Sequence, residues 1–588
     1  VKRFLVLAPL AACLSVPDGP APECKVTSDC DTANGEVCDE GICYGNPPPG
    51  PFAALVSPPS ERKNDVVSRE VELLEIPADG HLGDVALDAP VTYTGQIRAF
   101  CPTPSDCTDI SLGATITVTR PSIFQGGPTY RQVVTTEPRT GLFQLVVPRT
   151  RDIDQPYTIT VIPEGRGDEP DMGITPAQLV PPLRTELRIA DNETGKTLDL
   201  GGITLATIDG KVTNSVGVGQ GSYRVVALGR WDETSPITEV STVFYTGNDG
   251  QFALRLSPGL QGSVEIVARP YGDPLQPTLH ANVSSGGVSG KSLVAPANLG
   301  QPTTVDIKVK GTATGGEIKA VNGARVTVAG VVPGAAPGST VATFVTEVTT
   351  GEDGIASVTM LNGTAIRSSY RVSIIPPANS TLGILFDSPL VLGEDPDRTL
   401  PERIALVGRV IDVDGKPIND VQVTVRPSLR FQWSLDTLPQ AFMSAIPAAT
   451  TVTPDTGEFV VYVDPFLKDG SEDVWGYYDL SFEPTATSNA PTFTEFDVEI
   501  PRDTNQSSVP LADIYLPDAA HIHGRITDPF GNVVEGAELK VFRVEDFASL
   551  TLCSDVPHAP ASCPIPAQLL GRGASDDVGI VRLTLPRP

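Results

Sequence analysis

A strand-like run carrying one glycine recurs five times along the chain, as Tyr93-Thr-Gly95-Gln-Ile, Ile208-Asp-Gly210-Lys-Val, Val309-Lys-Gly311-Thr-Ala, Leu406-Val-Gly408-Arg-Val and Ile522-His-Gly524-Arg-Ile. The copies lie about 100 residues apart, the size of a small domain, so the repeat demands a tandem array. Alternating residues follow each copy, clearest in Val421-Gln-Val-Thr-Val425 and Ala537-Glu-Leu-Lys-Val541. A period of two places apolar side chains on one sheet face and polar ones on the other, the pattern of a half-buried antiparallel strand. A second anchor is a glycine turn leading into a strand: Thr140-Gly-Leu-Phe-Gln-Leu145, Asp249-Gly-Gln-Phe-Ala-Leu254, Asp353-Gly-Ile-Ala-Ser-Val358, Thr456-Gly-Glu-Phe-Val-Val461 and Val578-Gly-Ile-Val-Arg-Leu583. A third is a strand that stops at proline, in Tyr157-Thr-Ile-Thr-Val-Ile-Pro163, Val264-Glu-Ile-Val-Ala-Arg-Pro270, Tyr370-Arg-Val-Ser-Ile-Ile-Pro376 and Tyr478-Asp-Leu-Ser-Phe-Glu-Pro484. The fifth copy reaches Pro588 before a third anchor appears, so it reads as an atypical or incomplete module.

These anchors resemble the carboxypeptidase regulatory-like domain, a transthyretin-like β-sandwich, repeated in tandem. The closest copies are Leu406 to Val425 and Ile522 to Val541, which show the family's strand, turn, strand order. The first copy departs from it with Cys101 to Cys107 inserted in its first turn, and the third has a shortened, glycine-rich turn. Part of the pattern is shared with immunoglobulin-like domains. The resemblance implies an all-β fold of tandem Ig-like or transthyretin-like sandwiches, and it implies modules that accompany other activities without performing chemistry themselves.

Composition agrees with many short strands. Gly 55 and Pro 56 together favour turns over long helices, while 40% hydrophobic content argues against general disorder. The net charge of −29 comes from scattered acidic residues and reads as solubility. No basic patch stands out to neutralise phosphates, so nucleic acid is not an expected partner.

At the N-terminus, Lys2 and Arg3 precede an apolar stretch from Phe4 to Ala12 that ends in Leu10-Ala11-Ala12-Cys13. This resembles a bacterial lipoprotein signal with its lipobox, which implies cleavage before Cys13 and a diacylglycerol thioether on its sulfur. An ordinary secretory signal with Cys13 near the cleavage site is the plainer alternative. The other eight cysteines fall into local groups: Cys24, Cys30, Cys38 and Cys43, then Cys101 with Cys107, and Cys553 with Cys563. An even count at tight spacing in an exported chain reads as disulfides. Zinc is the weaker reading of the first group, because it lacks the close Cys-x2-4-Cys pairs of common zinc modules. The segment from Cys24 to Cys43 also resembles small cysteine-rich modules near the N-termini of surface lipoproteins. After it, Gly45-Asn-Pro-Pro-Pro-Gly-Pro51 reads as an extended linker.

Catalytic patterns are not found in the sequence. The five histidines, His81, His280, His521, His523 and His558, form no His-Glu-x-x-His or His-x-x-Glu motif. His521 and His523 sit two apart, on one face of a strand, where they could share a metal, although ordinary strand positions explain them more simply. Asp412-Val-Asp-Gly-Lys416 begins like a calcium loop but lacks the bidentate Glu at its twelfth position, which leaves an Asx turn. There is no Gly-x-Ser-x-Gly elbow. No catalytic, cofactor or metal residue is therefore assigned.

The expected division is a signal over 1–12, a lipid-anchor, cysteine-rich and linker segment over 13–51, and a transition over 52–90. Sandwiches follow over 91–202, 203–306, 307–402, 403–518 and 519–588, each with its own core, so that five end to end could reach roughly 150 to 200 Å. The functional expectation is a non-catalytic envelope lipoprotein at the outer membrane or cell surface, acting as spacer, scaffold or adhesive surface for an envelope protein or glycan. The alternative is a carbohydrate- or peptide-binding array serving an exported degradative enzyme. Cys13 is the expected lipid attachment point, so Cys13→Ser should move the protein from the membrane to the soluble fraction. An unmodified mature Cys13 in intact-mass analysis would exclude the anchor.

Overall fold

In a computed structural model of the chain, the structure describes residues 23–98, 113–138, 140–151, 154–164, 180–199, 206–232, 235–271, 275–312, 317–377, 380–435, 449–469, 472–484, 490–502, 508–544 and 567–587. They form tandem β-sandwiches with one repeated plan. The strand holding the first anchor is the middle of one sheet. It pairs antiparallel with the second-anchor strand and parallel with the last strand of its module. In the first module Pro90–Arg98 lies between Leu142–Pro148 and Glu193–Asp199, and in the second Thr207–Thr213 lies between Gln251–Arg255 and Val288–Val294. The facing sheet pairs the alternating strand with the third-anchor strand, as in Ala114–Arg120 with Tyr157–Pro163 and Val421–Pro427 with Tyr477–Pro484.

Each anchor has a physical cause. The first-anchor glycine stands opposite a second-anchor side chain: Gly95 faces Phe143, Gly210 faces Phe252 and Gly408 faces Phe459. A Cβ added at these glycines would meet the phenyl ring at 2.7, 2.7 and 2.6 Å, so the missing side chain is the space the ring fills. The second-anchor glycines Gly141, Gly250, Gly354, Gly457 and Gly579 all take φ between 64° and 79°, where a side chain is strained. Their carbonyls accept hydrogen bonds from the backbone N–H of Ile97, Val212, Val309, Val410 and Ile526 respectively. That equivalence corrects the third copy. Gly311 lies two residues after Val309, whereas the other anchor glycines lie two before their counterparts. Ile307 holds the structural position of the glycine, and its partner is Ala356, so the bulk has been exchanged across the pair.

A further element recurs in all five modules. A buried hydroxyl directly follows the third strand: Thr136, Thr246, Thr350, Thr453 and Ser575. Its oxygen accepts from the backbone N–H of Ala114, Tyr223, Ala324, Val421 and Ala537 at 2.8 to 3.1 Å. In the last four modules it also donates to the carbonyl three residues before that N–H. The clip ties the turn leading to the second-anchor glycine to the start of the alternating strand. Tyrosines act similarly on the third anchor: the hydroxyls of Tyr157, Tyr370 and Tyr478 donate to the carbonyls of Pro148, Leu361 and Asp464.

The fifth sandwich is closed by the N-terminal part of the chain. Among the described residues, 519–587 supply its first four strands, Ala519–Thr527, Glu538–Arg543, Gln568–Ala574 and Ile580–Pro586. The remaining three are Phe52–Ser57, Arg69–Leu74 and His81–Ala86, within the segment expected to be a transition. Phe52–Ser57 pairs antiparallel with Glu538–Arg543 in the third-anchor position, and His81–Ala86 pairs parallel with Ala519–Thr527 in the last-strand position. Phe52, Val56, Val66, Val85 and Leu87 share one core with Ile522, Ile526, Leu539, Val541 and Leu583. The end-to-end array is corrected accordingly, because the first and fourth modules both adjoin the fifth. Contacts run round the whole circuit. Phe124 meets Phe542 at 5.5 Å, Arg184 pairs with Asp232 at 2.7 Å, Ile384 N–H donates to Asp464 at 2.8 Å and Arg572 pairs with Glu483 at 3.1 Å. Between the second and third modules the expectation of separate cores fails. Leu279 pairs with Ala342 in one nine-stranded sheet, over one continuous apolar cluster.

Phe52, Val56, Val66, Val85 and Leu87 of the N-terminal segment, at roughly 1.5–3 kcal/mol each, contribute about as much as a domain's whole net stability of about 5–15 kcal/mol. A fragment of residues 517–588 should therefore be unfolded by circular dichroism. The same fragment joined through a flexible linker to residues 47–88 should fold and melt cooperatively. Cooperative melting of the C-terminal fragment alone would show that the N-terminal strands are dispensable.

Candidate functional site

The cysteine-rich segment is docked on the fifth sandwich, and this seat gathers most of the residues singled out in the sequence. Two short 3-10 turns, Thr27–Asp29 and Thr32–Asn34, precede a hairpin of Val37–Asp39 and Ile42–Tyr44. Disulfides join Cys24 to Cys38 and Cys30 to Cys43. Among the described residues, three candidate metal-ligating side chains converge only at Cys24, Cys30 and Cys43, where every sulfur is already in a disulfide, Cys24 with Cys38 and Cys30 with Cys43. Cys13, Cys101, Cys107, Cys553 and Cys563 lie outside the described residues.

The hairpin meets the sandwich at Tyr44, which pairs in parallel register with His521 and is almost wholly buried. Gly45 N–H donates to the His521 carbonyl at 2.9 Å, and His523 N–H donates to the Gly80 carbonyl at 3.0 Å. A Cβ on Gly80 would meet the Gly45 nitrogen and the His521 carbonyl at 2.8 Å, so that glycine admits the docked chain. His521 and His523 do lie on one strand face, but the face is covered. The Tyr44 ring sits 4.2 Å from the His523 ring, with His81 at 4.8 Å on its other contact. His521 Nε2 lies 3.6 Å from Glu23, and its Nδ1 lies 3.4 Å from the Thr584 hydroxyl. Around them Arg582 binds Glu40 at 2.7 Å and Asp576 at 3.0 Å, and Arg587 binds Glu36. The histidines thus form the seat of the cysteine-rich hairpin.

Asp412 forms the turn expected of it: its carboxylate accepts from the N–H groups of Asp414 at 3.0 Å and Lys416 at 2.7 Å. Sequence reasoning missed the buried ion pairs at the junctions. Arg120 lies between Glu70 at 3.4 Å and Asp154 at 3.2 Å, with its guanidinium 4.9 Å from the centre of the Tyr157 ring, where the fifth module meets the first. Arg403 and Asp464 are both buried, and Asp464 also accepts from Ile384 N–H at 2.8 Å, where the third meets the fourth. Burial raises the carboxyls of Glu70 and Asp464, with the adjacent arginines opposing that shift. A lone arginine in a strand, as Arg120, or just before one, as Arg403, carries no signal of a partner 34 or 61 residues away.

Burial is the main cause that holds both seat histidines below their ordinary 6.5. Around His521, Arg587 pushes the same way, while Glu23 and Glu36 oppose it. Around His523, His81 and Arg582 push down, while Asp39 and Asp79 oppose them. A histidine depressed in the folded state contributes stability that is complete above about 6.5 and is lost as pH falls. Exchange of the Gly45 and His523 amides, corrected for intrinsic rate, should therefore be faster at pH 5 than at pH 7.5. His521→Asn with His523→Asn should flatten that dependence. An unchanged slope in the double variant would remove the histidines as its cause.

No family model and no curated protein matches the chain. Similar solved structures include GBS52, the minor pilin of Streptococcus agalactiae, at 13% identity, 36% of this chain, 94% of that chain and a TM-score of 0.20. They include BcpA, the major pilin subunit of Bacillus cereus, at 10% identity, 53% of this chain, 99% of that chain and a TM-score of 0.13. The Bacillus anthracis TIE protein is 9% identical over 72% of this chain and 74% of its own, with a TM-score of 0.12. Scores this low carry no functional weight.

Proposed function

We propose that the chain is a non-catalytic structural protein of the bacterial envelope: a closed frame of five sandwiches, tethered through Cys13 and the cysteine-rich hairpin, that presents sheet faces to a surface partner. The observation that carries this reading is the fifth sandwich, assembled from both halves of one module at opposite ends of the sequence. A chain whose N-terminal and C-terminal strands share a core holds its intervening modules in a fixed circuit, and the buried Arg120–Glu70 pair and the bond from Ile384 N–H to Asp464 favour one register between neighbours. The repeated seven-strand order, with glycine, hydroxyl and tyrosine at matched places, supports descent from a single module of the carboxypeptidase regulatory-like type.

Small-angle scattering of residues 23–588 tests the frame. The particle should be compact, with a maximum dimension well under the roughly 150–200 Å of five sandwiches in line. Ala54→Asp, which puts a charge into the closing core, should lengthen the particle while the other modules keep their β-sheet signal. An extended particle for the unaltered chain would defeat the reading.

A further inference from the structure

The first and second modules enclose a cleft of about 690 Å³ between a sheet face of one and the loops of the other. One wall is a patch of hydroxyls from Thr119, Thr158 and Thr160, outward residues of two adjacent strands. The opposite wall carries Trp231, Pro236 and Thr238, and Arg184 lines the cleft beside Ser235. From this chemistry we infer that the cleft binds a short neutral oligosaccharide.

Four observations support this assignment. The size suits a ligand of two or three rings, within the usual range of about 300–1,000 Å³ for ligand pockets. Indole and proline offer apolar surface to the C–H face of a sugar, while threonine hydroxyls, which donate and accept alike, match its hydroxyls. Charge argues for a neutral ligand: Arg184 is paired with Asp232 at 2.7 Å, Glu239 is paired with Arg224 at 2.9 Å, and the whole chain carries −29. A polyanion would meet repulsion without a free cation to hold it. Two polar atoms on the Trp231 side, Trp231 Nε1 and Thr238 Oγ1, are shut away from solvent without a hydrogen-bond partner. Such groups are costly, and a small side-chain turn toward a bound hydroxyl would satisfy them. An extended peptide fits less well. The threonine wall belongs to Ala114–Arg120 and Tyr157–Pro163, each already paired on both sides, so it offers a sheet face with no edge for strand addition.

This inference goes beyond the frame reading and does not rest on it, since scattering reads the frame and titration reads the cleft. The test titrates residues 23–588 with maltotriose, cellotriose and chitotriose at millimolar concentrations, followed by calorimetry and tryptophan fluorescence. At least one trisaccharide should bind with a fluorescence change. Trp231→Ala should weaken it by at least about tenfold, and Trp433→Phe, a control outside the cleft, should leave it unchanged. Thr158→Val with Thr160→Val should weaken it by roughly three- to tenfold, and this variant decides the matter if Trp231→Ala fails to fold. The inference is overturned if no trisaccharide binds, if binding survives the cleft variants, or if a random peptide library binds there and the sugars do not.

Discussion

Every sandwich in this chain depends on a hydroxyl buried at one corner. The turn before the second-anchor glycine has to leave one sheet and enter the other, and the hydroxyl residue at its start is buried while the turn itself is exposed. Thr350 shows the solution: its oxygen takes the Ala324 N–H at 2.8 Å and gives its proton to the Val321 carbonyl at 2.7 Å. The Thr350 N–H closes the exchange on the Ala324 carbonyl at 2.9 Å. An apolar side chain there would strand a donor and an acceptor at a cost of about 1–3 kcal/mol each. Thr350 lies four residues before Gly354, so the clip holds the start of the turn that ends at that glycine.

Much of this was legible in the sequence, and the parts that were not have physical reasons. Alternation marked the strands because each sandwich has one wet and one dry face per sheet. The second-anchor glycines were visible because a positive φ excludes most side chains. The hydroxyl clip left a trace in the four residues before the glycine, as in Thr246-Gly-Asn-Asp-Gly250 and Ser575-Asp-Asp-Val-Gly579, but a lone threonine in a polar turn is unremarkable until its burial is known. In the third copy Gly311 misled, because the pair that needs little bulk on one side can place it on either strand, and Ile307 with Ala356 does so. The N-terminal half-module carried its own anchor, Phe52-Ala-Ala-Leu-Val-Ser-Pro58, a strand stopping at proline. Its partner lies nearly the whole chain away, and pairing at that separation leaves no local pattern. Of the cysteine-rich seat, the disulfide-forming group was legible from spacing; the covering of His521 and His523 by Tyr44 was not.

Junctions between modules follow a different rule from cores. Inside each sandwich the interior is apolar, while the joins add buried polar contacts, Arg120 with Glu70 and Asp464 with the Ile384 N–H, to apolar ones such as Phe124 with Phe542. Apolar surfaces tolerate sliding, whereas a guanidinium between two carboxylates has one acceptable position. The second and third modules use a third means, a shared sheet, in which hydrogen-bond register takes the place of charge.

The position of the closing sandwich determines how a pull on the tether travels. The hairpin grips that sandwich at Tyr44 and Gly45, and the chain re-enters the same sandwich at Phe52. A pull on the N-terminus would therefore be met in the fifth module, first at the seat and then at the central strand Phe52–Ser57. Modules one to four hang from the loaded module as a side loop, out of the line of force. The seat would therefore be loaded before the strands of the other four modules.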